Sequence, residues 1–204
     1  PAEAMGLAFE HHDLNDYPSA KHLLEVLHAR GCDGLVLGSL MQTLRSSSAL
    51  KLLDEFSLVS MDTVHVDFGI DVVRGNMFRS SLSMCRVLRQ AGYRRIGIAL
   101  RSHAIFVADD DARMAAAMLF REKDCGSGER LPIYNSLFGA DDWGDQLEHW
   151  YQTNQPEVIV GFNHSMMYEL KRRGIKIPED VAFVSLHVHH DVVGTVAGLK
   201  SNQE

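Results

Sequence analysis

The chain has 204 residues, enough for one large domain or two small lobes with a hydrophobic core. Its net charge of -7 argues against a DNA-contacting surface, which needs clustered Lys and Arg. No apolar run approaches the ~18 residues that a membrane-spanning helix needs. The three cysteines lie far apart and form no Cys-x-x-Cys pair, so we expect a reduced, cytoplasmic compartment.

Short apolar runs recur along the chain and predict strands. They cover residues 4–9, 34–37, 58–61, 96–100, 131–134, 158–162 and 181–186. The last run is almost entirely apolar, which is typical of a strand covered by helices on both faces. Residues 61–75 are neither helical nor cleanly alternating, and they are a candidate connector between two lobes.

Stretches with apolar residues at helical spacing lie between these strands. The first ends at Gly31, the second ends at Gly92, and the third begins at an N-cap provided by Asp110 or Asp111. The apolar residues of the five stretches are Leu23, Leu24 and Leu27; Phe78, Leu82, Cys85 and Leu88; Met114, Ala117 and Met118; Leu147, Trp150 and Tyr151; and Met166, Met167 and Leu170. This alternation predicts an α/β fold with a largely parallel sheet and right-handed crossovers.

Polar residues follow the last predicted strand directly. His187, His189 and His190 come where the apolar run 181–186 ends. Ligands of open α/β sheets bind beyond the carboxyl ends of the strands, so this end of the strand is a candidate binding site.

Five segments, in this order, resemble the effector-binding domain of the LacI/GalR family of bacterial transcription regulators. They are LLEVLHARGCDGLVL (residues 23–37), LRQAGYRRIGIA (88–99), the stretch that begins at Arg113, PEVIVGFN (156–163) and GIKIPEDVAFVSL (174–186). The resemblance implies a type I periplasmic-binding-protein-like fold, with two lobes that are each a parallel sheet flanked by helices. It implies an N-terminal lobe over residues 1–92, a C-terminal lobe over 93–196, and the start of a return to the first lobe over 197–204.

The resemblance also implies a function. A small-molecule effector, a sugar or sugar derivative, is expected to bind between the lobes of a homodimer. Operator DNA is expected to be bound by a helix-turn-helix domain that is not part of this chain, since the family's domain extends beyond both ends of the sequence. No membrane association is expected.

Two candidate effector-binding residues follow from the resemblance to the family. Arg113 matches a family arginine that reaches the ligand, and its guanidinium offers a planar fork of donors; alternatively it is a surface residue paired with Asp109, Asp110 or Asp111. Trp143 lies where some members stack an aromatic ring on a sugar, although local packing at a helix start explains it equally well.

Two more candidates come from strand ends. Asn163 offers an amide that donates and accepts, but it also suits a helix N-cap, and His164 replaces the family's usual Asp after it. His187 stands where many members have an Asp, which hints at an effector other than a plain neutral sugar. Packing at the strand end is the alternative for His187.

Two rival functions remain open at this stage. A solute-binding protein of a transporter would share the fold, and a metal-dependent enzyme would use His187, His189 and His190 with His164. The sequence lacks a Gly-x-Ser-x-Gly elbow, a Walker loop, a Gly-x-Gly-x-x-Gly turn and a His-Glu-x-x-His motif. We therefore expect no cofactor, no metal, and no enzymatic activity.

Overall fold

The computed structural model describes residues 6–38, 47–61, 70–188 and 194–200. Contacts within the chain divide it into two units, Pro1–Arg74 and Gly75–Glu204. Within the described ranges, no helix combines the length and the apolar character needed to cross a bilayer.

The first unit contains a short parallel sheet with helices. A 3-10 helix at Leu14–Asp16 precedes α1 (Ala20–Ala29), β1 (Gly34–Leu37), α2 (Ser47–Leu53), β2 (Ser57–Ser60) and β3 (Asp71–Val72). The strands pair in the order β1-β2-β3, all parallel. Leu24 and Leu27 of α1 pack with Leu53 and Phe56, which makes the core of this unit.

The predicted strand at residues 4–9 is wrong for the part of it that the structure describes. Residues 6–9 form no strand, and Leu7 and Phe9 are 49% and 65% exposed. An apolar run predicts a parallel strand only when both faces are covered, and these side chains lack that burial.

The second unit contains a larger sheet. Its elements are α3 (Met77–Gln90), β4 (Ile96–Ser102), α4 (Ala108–Lys123), β5 (Tyr134–Leu137), α5 (Trp143–Asn154), β6 (Val158–Gly161), α6 (His164–Arg172), β7 (Ala182–Val188) and β8 (Gly198–Lys200). The strand order is β5-β4-β6-β7-β8, and every pair is parallel. One row of paired residues therefore crosses the sheet from Tyr134 through Ala99, Gly161 and Ser185 to Gly198.

Both faces of this sheet are covered, because successive residues of a strand point to opposite sides. On one face, Ile98 and Leu100 of β4 pack with Phe120 of α4 and with the apolar side of α3. On the other face, Ala99 of β4 and Ile159 of β6 pack with the apolar sides of α5 and α6. The prediction of parallel sheets flanked by helices is confirmed.

Two details of the second unit differ from the sequence prediction. β5 begins at Tyr134 rather than at residue 131, since Pro132 has no N–H to give to a neighbouring strand. α4 begins at Ala108 after Val107, which makes no side-chain cap, so neither predicted aspartate is the N-cap. Asp110 instead lies inside the first turn and is 7% exposed at its side chain.

The two units defined by contacts have other bounds than the two lobes that the resemblance implies, and the lobe bounds stay a prediction. Contacts group α3 with the second unit, whereas the predicted boundary after residue 92 assigns it to the first. The reason is that Leu82, Cys85 and Leu88 of α3 are buried against the sheet and α4. β8 lies beside β7 in the second sheet. The return of residues 197–204 to the first lobe stays a prediction.

Candidate functional site

The strand order of the second sheet creates a place for a ligand. From β4 the chain passes through α4, on one face, to β5, and then through α5, on the other face, to β6 on the opposite side of β4. The direction of winding thus reverses next to β4. Crevices at such switch points, outside the carboxyl ends of the strands, are where doubly wound sheets bind ligands.

A charged cluster lies directly beyond β4. The carboxylate of Asp110 accepts a hydrogen bond from the backbone N–H of His103 at 2.7 Å, and Nδ1 of His103 lies 2.9 Å from the same oxygen. The other oxygen accepts from Nη1 of Arg113 at 3.1 Å. The side chains of Arg113 and Asp110 are only 13% and 7% exposed, and burial lowers the pKa of Arg113 from its ordinary value. Arg113 is thus a partly buried arginine with a carboxylate partner, and not a surface residue.

A chain of ring contacts connects Arg113 to the loop after β5. The guanidinium of Arg113 lies 4.9 Å from the ring centroid of Phe162, which follows β6. Phe162 meets Phe138 edge to face at 5.4 Å, and Phe138 contacts the ring of His103 at 4.6 Å. Cation–π and edge-to-face contacts of this kind each contribute about 0.5–1.5 kcal/mol. The rings therefore hold the loops after β4, β5 and β6 together.

Trp143 belongs to the same set of contacts through a different arginine. The guanidinium carbon of Arg101, near the end of β4, lies 4.5 Å from the indole centroid of Trp143 and 4.6 Å from the centroid of Phe138. The backbone carbonyl of Trp143 accepts from the hydroxyl of Tyr134 at 2.6 Å, which fixes the start of α5. One side of the indole is therefore covered by Arg101, and the rest packs partly on the core.

Asn163 caps α6, as the structural alternative predicted. Its Oδ1 accepts from the backbone N–H of Ser165 at 3.1 Å and from the hydroxyl of Ser165 at 2.5 Å. Its Nδ2 makes no hydrogen bond to any described part of the chain, so the cap leaves the donor half of the amide for other use. Capping and ligand binding are compatible here.

His187 lies near the end of β7, two strands from β4. Its backbone N–H donates to the hydroxyl of Ser185 at 3.2 Å, and that hydroxyl donates to the carbonyl of His187 at 2.6 Å. Arg113, Trp143 and Asn163 are thus brought together by contacts and chain adjacency, and His187 lies at the same edge of the sheet. His189 and His190 lie outside the described residues, and the ranges that are described contain no group of three His, Cys, Asp or Glu arranged to hold a metal ion.

No family profile and no curated protein sequence matches this chain. Solved structures do match it. The LacI transcriptional regulator from Lactobacillus brevis has a TM-score of 0.64 at 17% identity, over 98% of this chain and 77% of its own. The Lac repressor dimer bound to operator and the anti-inducer ONPF has a TM-score of 0.61 at 13% identity, over 98% and 72%. The transcription regulator CcpA of Lactococcus lactis has a TM-score of 0.54 at 17% identity, over 81% and 61%.

The chain has the fold of LacI-family regulators. It spans 61% to 77% of the length of these three structures. Identities of 13–17% make this a likeness of fold, and they leave the ligand to be inferred from the side chains. The ligand position between two lobes and the four candidate contact residues stay predictions.

Several residues of this site were not predicted from the sequence. Arg101, His103, Phe138 and Phe162 were not candidates, although Arg101 and His103 end a buried strand in the way that His187 does. The polar ending of the run 96–100 could therefore have revealed two of them. The two phenylalanines gave no comparable signal, because apolar residues after a strand usually belong to the core.

Proposed function

We propose that this chain is the effector-binding domain of a LacI-family transcriptional regulator. It binds a small molecule at the carboxyl edge of the sheet in the second unit. The observation that supports this most is the clustering of Arg113, Trp143 and Asn163 at a topological switch point, in a fold shared with regulators of this family.

The effector class follows from the groups at this edge. A guanidinium, an amide donor and an imidazole offer hydrogen bonds to hydroxyl groups, while the aromatic rings suit the apolar faces of a sugar. We infer a sugar or sugar derivative. Arg113, Trp143, Asn163 and His187 are the proposed contacts.

Control of DNA binding follows from the same proposal. The Lac repressor structure is a dimer on its operator, with an anti-inducer bound. By analogy, this chain forms a homodimer in the cytoplasm, and its effector shifts the balance between two arrangements of the dimer. The ligand then controls DNA binding because it binds one arrangement more tightly than the other. The DNA itself is bound by a domain that is not part of this chain.

A thermal-shift screen of the purified chain against sugars, sugar acids, sugar phosphates and nucleosides tests the proposal. A ligand at 100 times its Kd stabilises the folded state by about 2.7 kcal/mol. For a chain of this size, that corresponds to a rise in Tm of about 5–10 °C. A panel in which only nucleosides raise the Tm would contradict the sugar-like effector.

Asn163→Asp shows whether a ligand found in the screen binds at this edge. The aspartate keeps the acceptor that caps α6 and removes the amide donor, so the Tm without ligand should change little while affinity falls at least about 10-fold. Asn154→Ala is the matched control, because Asn154 lies at the far end of α5 and its amide donates to Trp150. Equal affinities for Asn163→Asp and the unmodified chain would place the ligand elsewhere.

A further inference from the structure

Arg101 is an arginine at the ligand edge that is held in place without a carboxylate. Its guanidinium carbon lies against the rings of Phe138 and Trp143, at 4.6 and 4.5 Å from their centroids. Its Nη2 donates to the backbone carbonyl of Leu137 at 3.3 Å. These three contacts hold the guanidinium at the end of β4.

The positive charge of Arg101 lacks compensation among the residues that the structure describes. No carboxylate of those residues forms an ion pair with it, in contrast to Arg113, which has Asp110. Tyr134 lies nearby, but burial raises the pKa of its phenol, which therefore stays neutral at pH 7. An arginine keeps its charge at this pH even where burial lowers its pKa, as it does here.

The donors of Arg101 are also incompletely used. Its Nε is buried without a hydrogen-bond partner in the described part of the chain. Its Nη1 makes no hydrogen bond there either and is not among the fully buried atoms. A buried donor is costly to leave unpaired, and a positive charge that is partly removed from water is stabilised by an opposite charge. An anion brought by a ligand would compensate the charge.

We propose that the effector carries a carboxylate or phosphate group and that Arg101 binds it. A guanidinium held between contacts to two rings presents a planar fork that matches two oxygens of either anion. Phe138 joins Arg101 to His103 and Phe162, so the anion-binding residue belongs to the site already described. The inference rests on the proposed function and narrows it to sugar acids or sugar phosphates.

Titration calorimetry with pairs of related compounds, of which only one member carries an anionic group, tests this. The pairs are glucose and glucuronate, galactose and galacturonate, and glucose and glucose 6-phosphate, with inorganic phosphate as a separate probe at constant ionic strength. The charged member of at least one pair should bind at least about 10-fold more tightly than its neutral partner, because a hydrogen bond to a charged group supplies that much. Comparison of the affinities for the carboxylate and phosphate compounds shows which anion the site binds.

Three variants locate the effect. Arg101→Gln should remove the preference for the charged member, and Arg101→Lys should reduce it while keeping the charge, since an ammonium lacks the planar fork. Arg121→Gln is the matched control: it removes one positive charge from the last turn of α4, where Arg121 pairs with Glu122, and it should change nothing. Circular dichroism checks that each variant is folded. If Arg101→Gln does not fold, the comparison of Arg101→Lys with the unmodified chain tests the proposal.

Each outcome separates this inference from the proposed function. If neutral sugars bind as tightly as charged ones and their affinity falls in Asn163→Asp, the proposal of an anionic effector is wrong. The proposed effector site is then still supported. A preference for anions that persists in Arg101→Gln would overturn the role of Arg101. Absence of binding by phosphate and by every charged member would also overturn the inference.

Discussion

Replacement of Asp110 with asparagine should destabilise the second unit by about 2–3 kcal/mol. The carboxylate is 7% exposed and lies within 3.1 Å of the backbone N–H and Nδ1 of His103 and of Nη1 of Arg113. Removing one partner of a buried charge pair costs about 3–5 kcal/mol. We expect a loss at or below the low end of this range, because asparagine keeps one acceptor oxygen and Asp109 still acts on Arg113.

Urea unfolding, monitored by tryptophan fluorescence, measures this change in the stability of the second unit. Trp143 and Trp150 are the two tryptophans of the chain, and both lie in the second unit. Asp111→Asn is the matched control, because Asp111 is the next residue of the same helical turn and is exposed. Its effect should stay within about 0.5 kcal/mol.

A double-mutant cycle separates the charge from other effects of the substitution. If the loss arises because Arg113 is left buried without its carboxylate, then Asp110→Asn should cost less in a chain that already carries Arg113→Met. The expected coupling is at least about 1 kcal/mol. Additive effects in the cycle, or equal losses for Asp110→Asn and Asp111→Asn, would refute the reasoning.

Three further predictions concern packing, pH and thiol reactivity. Gly161→Ala should cost about 1–3 kcal/mol in urea unfolding, because its Cβ would enter the ring of Phe183, whereas Gly128→Ala meets open space and should be neutral; equal losses would contradict this. Two arginines lower the pKa of Glu169 to about 2, so its stabilisation should be present above about pH 4.5 and lost as pH falls towards 2; an unchanged pH profile for Glu169→Gln would refute this. Burial raises the pKa of Cys85 to about 12, so this thiol should resist a disulfide reagent at pH 8 until urea unfolds the chain, and labelling in the native state would contradict its burial.

Hydrophobic patterning predicted most of the second sheet because its strands are covered on both faces. The runs that became β4, β6 and β7 are almost entirely apolar where they are buried, so composition alone marks them. β5 is less regular: it begins after Pro132 and alternates between buried and exposed residues. Because this pattern is weaker, the predicted strand at residues 131–134 begins three residues before β5 does.

The candidate site was only partly predictable, because its contacts depend on the order of the strands. The sequence indicated that Asn163 ends a buried strand, and the family resemblance indicated Arg113. It could not indicate that β4 lies between β5 and β6, which is what brings Phe138 and Phe162 together. Arg101 owes its significance to the same neighbours, so its role became visible only in the fold.

Hydrogen–deuterium exchange of the chain, with and without a ligand found in the screen, tests the central claim most directly. Binding at the carboxyl edge of the second sheet should slow exchange of the amides of His103, Asn163 and His187, which end or follow three neighbouring strands. The amides of Arg94 and Arg95, which precede β4 at the opposite edge and donate to Glu157, should exchange at unchanged rates. Protection confined to that opposite edge, with none at the carboxyl edge, would contradict an effector site at the switch point.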